Sequence, residues 1–364
     1  MPTPLPIEGR PLRLGVVGLG QIAELMLPSY RDRADVEIVG LCDRSTGALA
    51  RWAGRLPGAA AVTDVGALLE LQPDVVDVYV PTPYHAEVVV PLLEAGVHVQ
   101  CQKPIARTVE DCDRMLAAAR ATGAVLRILE DYLFYEPLVK LRDVVASGEI
   151  GDPTGVHMKI VGTGRGGWDV DMRSYIWQFE QAKDGRGMLV FDHGWHQLAV
   201  AHSMFGPVRR IYAWIGATQP APELAPEVLL DAPSTLVWEH HNGVRGVMDV
   251  TLSPDQYFRS DYYTCDERVE VTGSRGYARC NRISAYGIQE PSVVVYAEGE
   301  MRGYHALADT PPDAFRASTA HALDVFLKGA TPVVMSGEAA RDVLAALEAA
   351  IVSAREGHAV DVAN

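Results

Sequence analysis

Basic side chains are in short supply in this chain. Lys and Arg number 32 against 47 Asp and Glu in 364 residues, a formal charge of −15. A nucleic-acid binder needs a basic stripe to displace counterions, so this balance excludes one. An anionic membrane surface is excluded on the same ground. Paired cysteines are also missing. Cys42, Cys101, Cys112, Cys265 and Cys280 stand alone without any C-x-x-C, and an odd count does not suit a disulfide framework. A reducing compartment is expected. Residues 1–10 lack the apolar centre of a signal peptide. No uncharged apolar run approaches the ~18 residues of a membrane span. The expectation is a soluble cytoplasmic protein. There is no repeat of fixed period and no low-complexity tract.

Hydrophobic residues make up 48% of the chain and charged residues 22%, a globular composition. The length suggests two domains. Over the first third, short apolar runs at 12–17, 36–41, 75–80, 97–101 and 125–129 alternate with helical patterns at 21–30, 85–95 and 108–121. Thr108 reads as an N-cap, with Asp111 three residues on. Such alternation predicts a parallel, doubly wound sheet. After Glu136 a helix runs to Ser147. β-rich segments follow at 154–162, 208–217, 234–240, 244–252, 268–273 and 292–297, with His241-Asn242-Gly243 as a hairpin turn. These predict a mainly antiparallel sheet. Helical patterns return at 314–328 and 338–356. The expected fold is therefore α/β: a doubly wound parallel-sheet domain over 1–130, then an α/β domain with a mainly antiparallel sheet over 131–364.

Gly18-Leu19-Gly20-Gln21-Ile22-Ala23 is a G-x-G-x-x-A string between the first strand and the first helix. Gly18 permits the tight turn, Gly20 lets the backbone approach a pyrophosphate, and Ala23 lets helix and strand pack closely. Asp43, 25 residues after Gly18, ends the second strand, where an acid binds ribose hydroxyls. Together these point to NAD. Arg44 directly after it leaves NADP open, because a guanidinium pairs with a 2′-phosphate. A second string at 162–167, GTGRGG, also follows a strand, but Trp168-Asp169-Val170-Asp171 does not open an apolar helix. It is read as a loop over a substrate.

Pro81-Thr82-Pro83, then residues 85–106, HAEVVVPLLEAGVHVQCQKPIA, resemble the glucose–fructose oxidoreductase / inositol dehydrogenase (Gfo/Idh/MocA) family. The family's Glu-Lys-Pro is here Gln102-Lys103-Pro104. Residues 185–196, GRGMLVFDHGWH, resemble its Asp-x-Gly-x-x-His region, with Asp192, Gly194 and His196 in place. The resemblance covers nearly the whole chain. It implies a Rossmann domain followed by a domain with an open antiparallel sheet, and homodimers or homotetramers joined through the open face.

The resemblance also assigns roles. His196 is the base that takes a hydroxyl proton, a task suited to a side chain that titrates near neutral pH. Lys103 bonds the reacting oxygen, and Asp192 orients a substrate hydroxyl or His196. Asp192 and His196 are spaced i, i+4 and would share a helix face. The cofactor set is Gly18, Gly20, Gln21, Ile22, Asp43, Arg44, Pro81, Thr82, His85, Gln102 and Lys103. The substrate set is Lys103, Glu130, Tyr132, Trp168, Tyr175, Asp192 and His196. Trp168 is the favoured ring for stacking on a sugar, and Tyr175 is a reserve base. His193-x-x-His196 lacks the companions of a metal motif, and no metal is expected. Cys101 reads as a small buried hydrophobe.

The leading reading is an NAD-dependent dehydrogenase of a sugar, sugar derivative or cyclic polyol. Two alternatives stay open. One is an enzyme that uses bound NAD transiently to oxidise, eliminate and re-reduce a glycoside. The other, less favoured, is a non-enzymatic sugar or dinucleotide sensor.

Overall fold

The computed structural model describes residues 9–31, 33–167, 176–219, 228–262, 265–281, 289–305, 307–331 and 333–363. The chain divides into two units: Met1–Asp131 with Phe315–Leu344, and Tyr132–Ala314 with Ala345–Asn364. The first break lies one residue from the expected boundary. The return of Phe315–Leu344 to the first unit interrupts the expected second domain.

The first unit is built on β1 (Leu12–Val17), β2 (Val36–Cys42), β3 (Ala60–Val62), β4 (Val75–Val78), β5 (His98–Gln102) and β6 (Leu126–Leu129), in the order β3-β2-β1-β4-β5-β6. All pairs are parallel. This is the doubly wound order, with its switch point between β1 and β4. β4 and β6 are buried at every position, as strands covered on both faces must be. The crossovers are α1 (Gln21–Met26), α2 (Thr46–Ala53), α3 (Val65–Glu70), α4 (His85–Glu94) and α5 (Val109–Thr122). Side chains close the exposed first turns of three of them. Ser45 accepts from Ala48 N, Asp64 from Ala67 N, and Thr108 from Asp111 N as expected. Gly123, at φ +75°, ends α5.

Phe315, Leu323, Val325 and Phe326 join the core around Leu14, Val16 and Leu129. Ile128 N donates to Met335 O at 2.9 Å. A polar row crosses the sheet beneath them. Asp77, Gln100 and Arg127 are register neighbours on β4, β5 and β6, and none is exposed. Tyr30 and Tyr79 donate to Asp77, Gln100 links Asp77 to Arg127, and Arg127 donates to Ser318. Burial is the main influence on both ends of this row. It pushes Asp77 up to about 6 and Arg127 down to about 10.

The second unit opens with α6 (Glu136–Ala146) and β7 (Pro153–Gly166), then α7 (Ile176–Ala182) and α8 (Gly194–Phe205). Its other strands are β8 (Val208–Ile215), β9 (Ser234–His240), β10 (Arg245–Phe258), β11 (Cys265–Gly273), β12 (Gly276–Cys280), β13 (Val293–Ala297) and β14 (Glu300–Tyr304). Two long helices, α9 (Pro311–Lys328) and α10 (Gly337–Glu356), contribute to both units before β15 (Val360–Asp361). The nine strands run β14-β13-β12-β11-β7-β10-β9-β8-β15. Among the described residues of this sheet only β7 and β10 pair in parallel. Period-2 alternation sorts the faces: Met158, Ile160, Leu236, Trp238, Met248, Val250, Val269 and Val271 point inward and are buried. The His241–Gly243 turn forms as expected, with Gly243 at φ +88° and its N donating to His240 O.

The second glycine string departs from expectation. Most of residues 162–167 do not form a loop; they finish β7, with Arg165 opposite Tyr257 and Gly166 opposite Phe258. A Cβ on Gly166 would lie 1.9 Å from Phe258 O, and its φ is +103°. The glycine serves the close approach of two strands.

Candidate active site

The first unit carries a tight glycine turn after β1. Gly18 leaves β1 at φ +92°, and a Cβ there would meet the Tyr79 carbonyl carbon at 2.8 Å. Only glycine fits that corner. Gly20 faces open space, with nothing within 4 Å of a Cβ, and Ala23 is fully buried under the turn. Gln21 and Ile22 are half-buried in the first turn of α1. Asp43 reaches back to this turn. One carboxylate oxygen accepts from Leu19 N and the other from Ser45 N, both at 2.7 Å. Arg44 beside it is exposed.

At the ends of β4 and β5 the expected residues lie on adjoining turns. Pro81 caps a 3-10 turn, Thr82–Tyr84, that opens into α4. Thr82 is buried and Pro81 half-buried. His85 is buried with both ring nitrogens on backbone oxygens, Nδ1 3.1 Å from Ile105 O and Nε2 2.8 Å from Val80 O. It therefore ties the turn after β4 to the turn after β5. Lys103 is half-buried there, and its backbone N donates to the Gln102 carboxamide oxygen at 2.8 Å. Cys101 is fully buried, as expected, and burial pushes its thiol up.

Asp192 and His196 lie in the second unit. Asp192 does not share a regular α-helix with His196. Met188–His193 form a π-helical turn, in which Asp192 N reaches Gly187 O, and α8 begins at Gly194. π-turns are uncommon and recur at functional positions. This one has no side-chain cap of its own. Asp231, from the segment before β9, takes that task, accepting from Leu189 N and Val190 N at 2.7 Å each. Burial raises its pKa, opposed by these N–H groups. A Cβ on Gly187 would lie 2.1 Å from the Asp231 carboxyl carbon, so glycine is needed there.

His196 is 2% exposed and lies flat on the Tyr132 ring, with centroids 4.1 Å apart and planes 12° apart. His193 meets it edge-on at 5.5 Å. Tyr132, expected as a substrate contact, is itself buried, and its hydroxyl donates to Glu267. Glu130 is fully buried in the first unit. Asp192 is half-buried. Trp195 and Tyr135 are core residues, and His240 bonds Gly206 O and Trp238 Nε1 within the sheet. Trp168 and Tyr175 lie outside the described residues.

Two family models match consecutive parts of the chain. Residues 12–129 match the oxidoreductase family, NAD-binding Rossmann fold, and residues 138–279 match the GFO/IDH/MocA C-terminal domain. The chain belongs to the GFO/IDH/MocA oxidoreductase family. Among curated relatives it is 30% identical over 260 residues to a 1-carboxy-3-chloro-3,4-dihydroxycyclohexa-1,5-diene dehydrogenase of Comamonas testosteroni, covering 69% of this chain and 60% of the relative. A D-apiose dehydrogenase of Paraburkholderia graminis is 29% identical, covering 95% and 88%. In fold it resembles a solved oxidoreductase from Agrobacterium radiobacter in complex with NAD+, L-tartaric acid and magnesium, with TM-score 0.80, 20% identity, and coverage of 96% and 98%. No helix among the described residues is long and apolar enough to cross a membrane. All five cysteines are buried and unbridged.

The first unit is thus the NAD-binding domain of a GFO/IDH/MocA protein, and its turn fits the dinucleotide: Gly20 leaves room where the pyrophosphate would approach. Gly18, Gly20 and the backbone of Gln21 and Ile22 would hold it. Three residues escaped the sequence motifs: Glu267, Gln197, which donates to it at 2.9 Å, and Asp231. Glu267 left a signal. It falls in the inward register with Cys265, Val269 and Val271, a carboxylate on an apolar strand face. Asp231 left none, because its partners stand some 40 residues earlier in the chain.

Proposed function

We propose that this GFO/IDH/MocA protein is an NAD-dependent dehydrogenase that oxidises a secondary hydroxyl of a sugar, sugar derivative or cyclic polyol. The observation that carries the reading is His196, buried and stacked on Tyr132 at the head of α8. It belongs to a chain whose first unit is an NAD-binding domain. The names of the curated relatives, dehydrogenases of a sugar and of a cyclic diol, support the substrate class. Bound NAD supplies the hydride acceptor. His196 takes the hydroxyl proton. Lys103 donates a hydrogen bond to the reacting oxygen and stabilises its developing charge, and Asp192 orients the substrate or His196. Asp43, held against the glycine turn, accepts from the ribose diol and sets a preference for NAD over NADP.

The outward sheet face supports a homodimer or homotetramer. Trp214 stands 61% exposed there with Tyr212 against it at 4.4 Å, an apolar surface suited to a second copy. Light scattering at micromolar concentration should exceed the 39.5 kDa monomer. The activity is tested with a panel of pyranosides and cyclic polyols plus NAD, following NADH absorbance with mass spectrometry of products. NADH accumulation supports the dehydrogenase. Product without NADH would favour the redox-neutral reading. NAD binding with no turnover across the panel would favour the sensor.

A further inference from the structure

Glu267 sits near the middle of β11 with no exposed surface. Three donors from two segments of the second unit converge on its carboxylate. The Tyr132 hydroxyl donates to Oε2 at 2.6 Å, and Gln197 Nε2 donates to Oε1 at 2.9 Å. His193 Nε2 lies 2.7 Å from Oε1. Burial pushes both members of the Glu267–His193 pair toward neutrality, but their mutual attraction wins, raising His193 and lowering Glu267. Their attraction favours the charged pair, with His193 Nε2 donating to the carboxylate.

Two of these partners bracket His196. Tyr132 lies under the ring face and His193 meets it edge-on. A buried ion pair is a weak source of stability compared with well-packed apolar groups, and its best use is to fix a geometry. A tyrosine ring held by its backbone at one end and by its hydroxyl at the other is restrained from sliding off the ring stacked on it.

We propose that Glu267 is a positioning residue for His196: by fixing the Tyr132 hydroxyl and the His193 ring, it holds the two rings that set the orientation of the His196 imidazole. The catalytic consequence rests on the reading of His196 as the base; the geometric part does not. Orientation of a general base is worth roughly 10–10²-fold in rate when it is lost.

The test uses the full chain with ring-13C-labelled histidine and no added ligand. The His196 Cε1–Hε1 signal is assigned by its loss in His196→Asn. In the native protein the stacked phenol ring shields that proton, so the signal lies upfield of that of the exposed His358. Tyr132→Leu, which removes the ring, should abolish the shielding and calibrate it. Glu267→Gln and Tyr132→Phe should each lose part of it. Their combination should shift little beyond Glu267→Gln alone, because Tyr132→Phe removes one of the contacts that Glu267→Gln already disturbs. On any alcohol the panel identifies, both should lower kcat roughly 10–10²-fold with KM and NAD affinity within about twofold, a split that general loss of folding would not give. Should Glu267→Gln fail to fold, Tyr132→Phe, which loses one hydrogen bond and keeps the ring, carries the test alone. A native His196 signal in Tyr132→Phe or in folded Glu267→Gln overturns the proposal, whether or not any sugar is oxidised. The expected shifts without turnover of any alcohol would support the positioning and count against the dehydrogenase reading instead.

Discussion

Asp231→Ala tests how the π-turn that leads into His196 is held. In the native protein two short N–H donors, from Leu189 and Val190, end on the Asp231 carboxylate at 2.7 Å each. Bonds to a charged acceptor contribute about 1.5–3 kcal/mol each. Removing the carboxylate also recovers part of the cost of burying it, and that cost is large enough to raise its pKa. The net loss should be about 2–4 kcal/mol, since two buried N–H groups are left without an acceptor. Asp231→Asn keeps one acceptor and turns an amide N–H2 toward the other N–H. It should cost about 1–3 kcal/mol by the same count. At about 2–4 °C per kcal/mol for units of this size, Asp231→Ala should melt roughly 5–15 °C lower. Urea unfolding followed by tryptophan fluorescence is suited to this, because Trp195 and Trp238 are buried in the same unit. Gly187→Ala attacks the same contact from the other side, with its Cβ 2.1 Å from the Asp231 carboxyl carbon. If Asp231→Ala unfolded within about 0.5 kcal/mol of the native protein, a range ordinary for surface changes, the π-turn would not depend on this cap.

Three further outcomes are expected. Gly18→Ala places a methyl 2.8 Å from the Tyr79 carbonyl carbon at φ +92° and should weaken NAD binding by roughly tenfold or more, read by fluorescence titration. Asp77, pushed up to about 6 by burial, favours the folded state when protonated. That contribution is present below the ordinary 3.8 and lost as pH rises through about 6. At ~1.36 kcal/mol per pH unit, the unfolding free energy of Asp77→Asn should gain about 3 kcal/mol on the native protein between pH 3.5 and 7. A difference that stays flat with pH would show that folding leaves the Asp77 pKa unraised. Lys103→Met and His196→Asn should keep NAD affinity within a few-fold and lose about 10²–10⁴ in turnover. Near-native turnover in His196→Asn would move the search for the base to Lys103 and Tyr175.

Local rules carried much of this protein. The strand at Leu12–Val17, the Thr108 cap and the hairpin at His240–Val244 follow from short-range sterics and hydrogen bonds, which neighbouring residues supply by themselves. The glycine turn was legible for the same reason: a corner with φ +92° against another strand's backbone admits glycine alone. The GTGRGG string shows the limit of that reasoning. Gly166 answers to Phe258 on a strand about 90 residues away, and a string of letters does not reveal whether a glycine serves a ligand or a neighbouring strand. Phe315–Leu344 could not be assigned to the first unit from its helical pattern, since an amphipathic face does not name the surface it covers. The setting of His196 was the least legible. Asp192 and His196 were visible as spaced letters. The carboxylate of Glu267, the ring of Tyr132 and the cap from Asp231 reach that helix from positions between about 40 and 75 residues away. A buried charge must be matched by partners wherever the chain brings them, and only tertiary packing decides which those are.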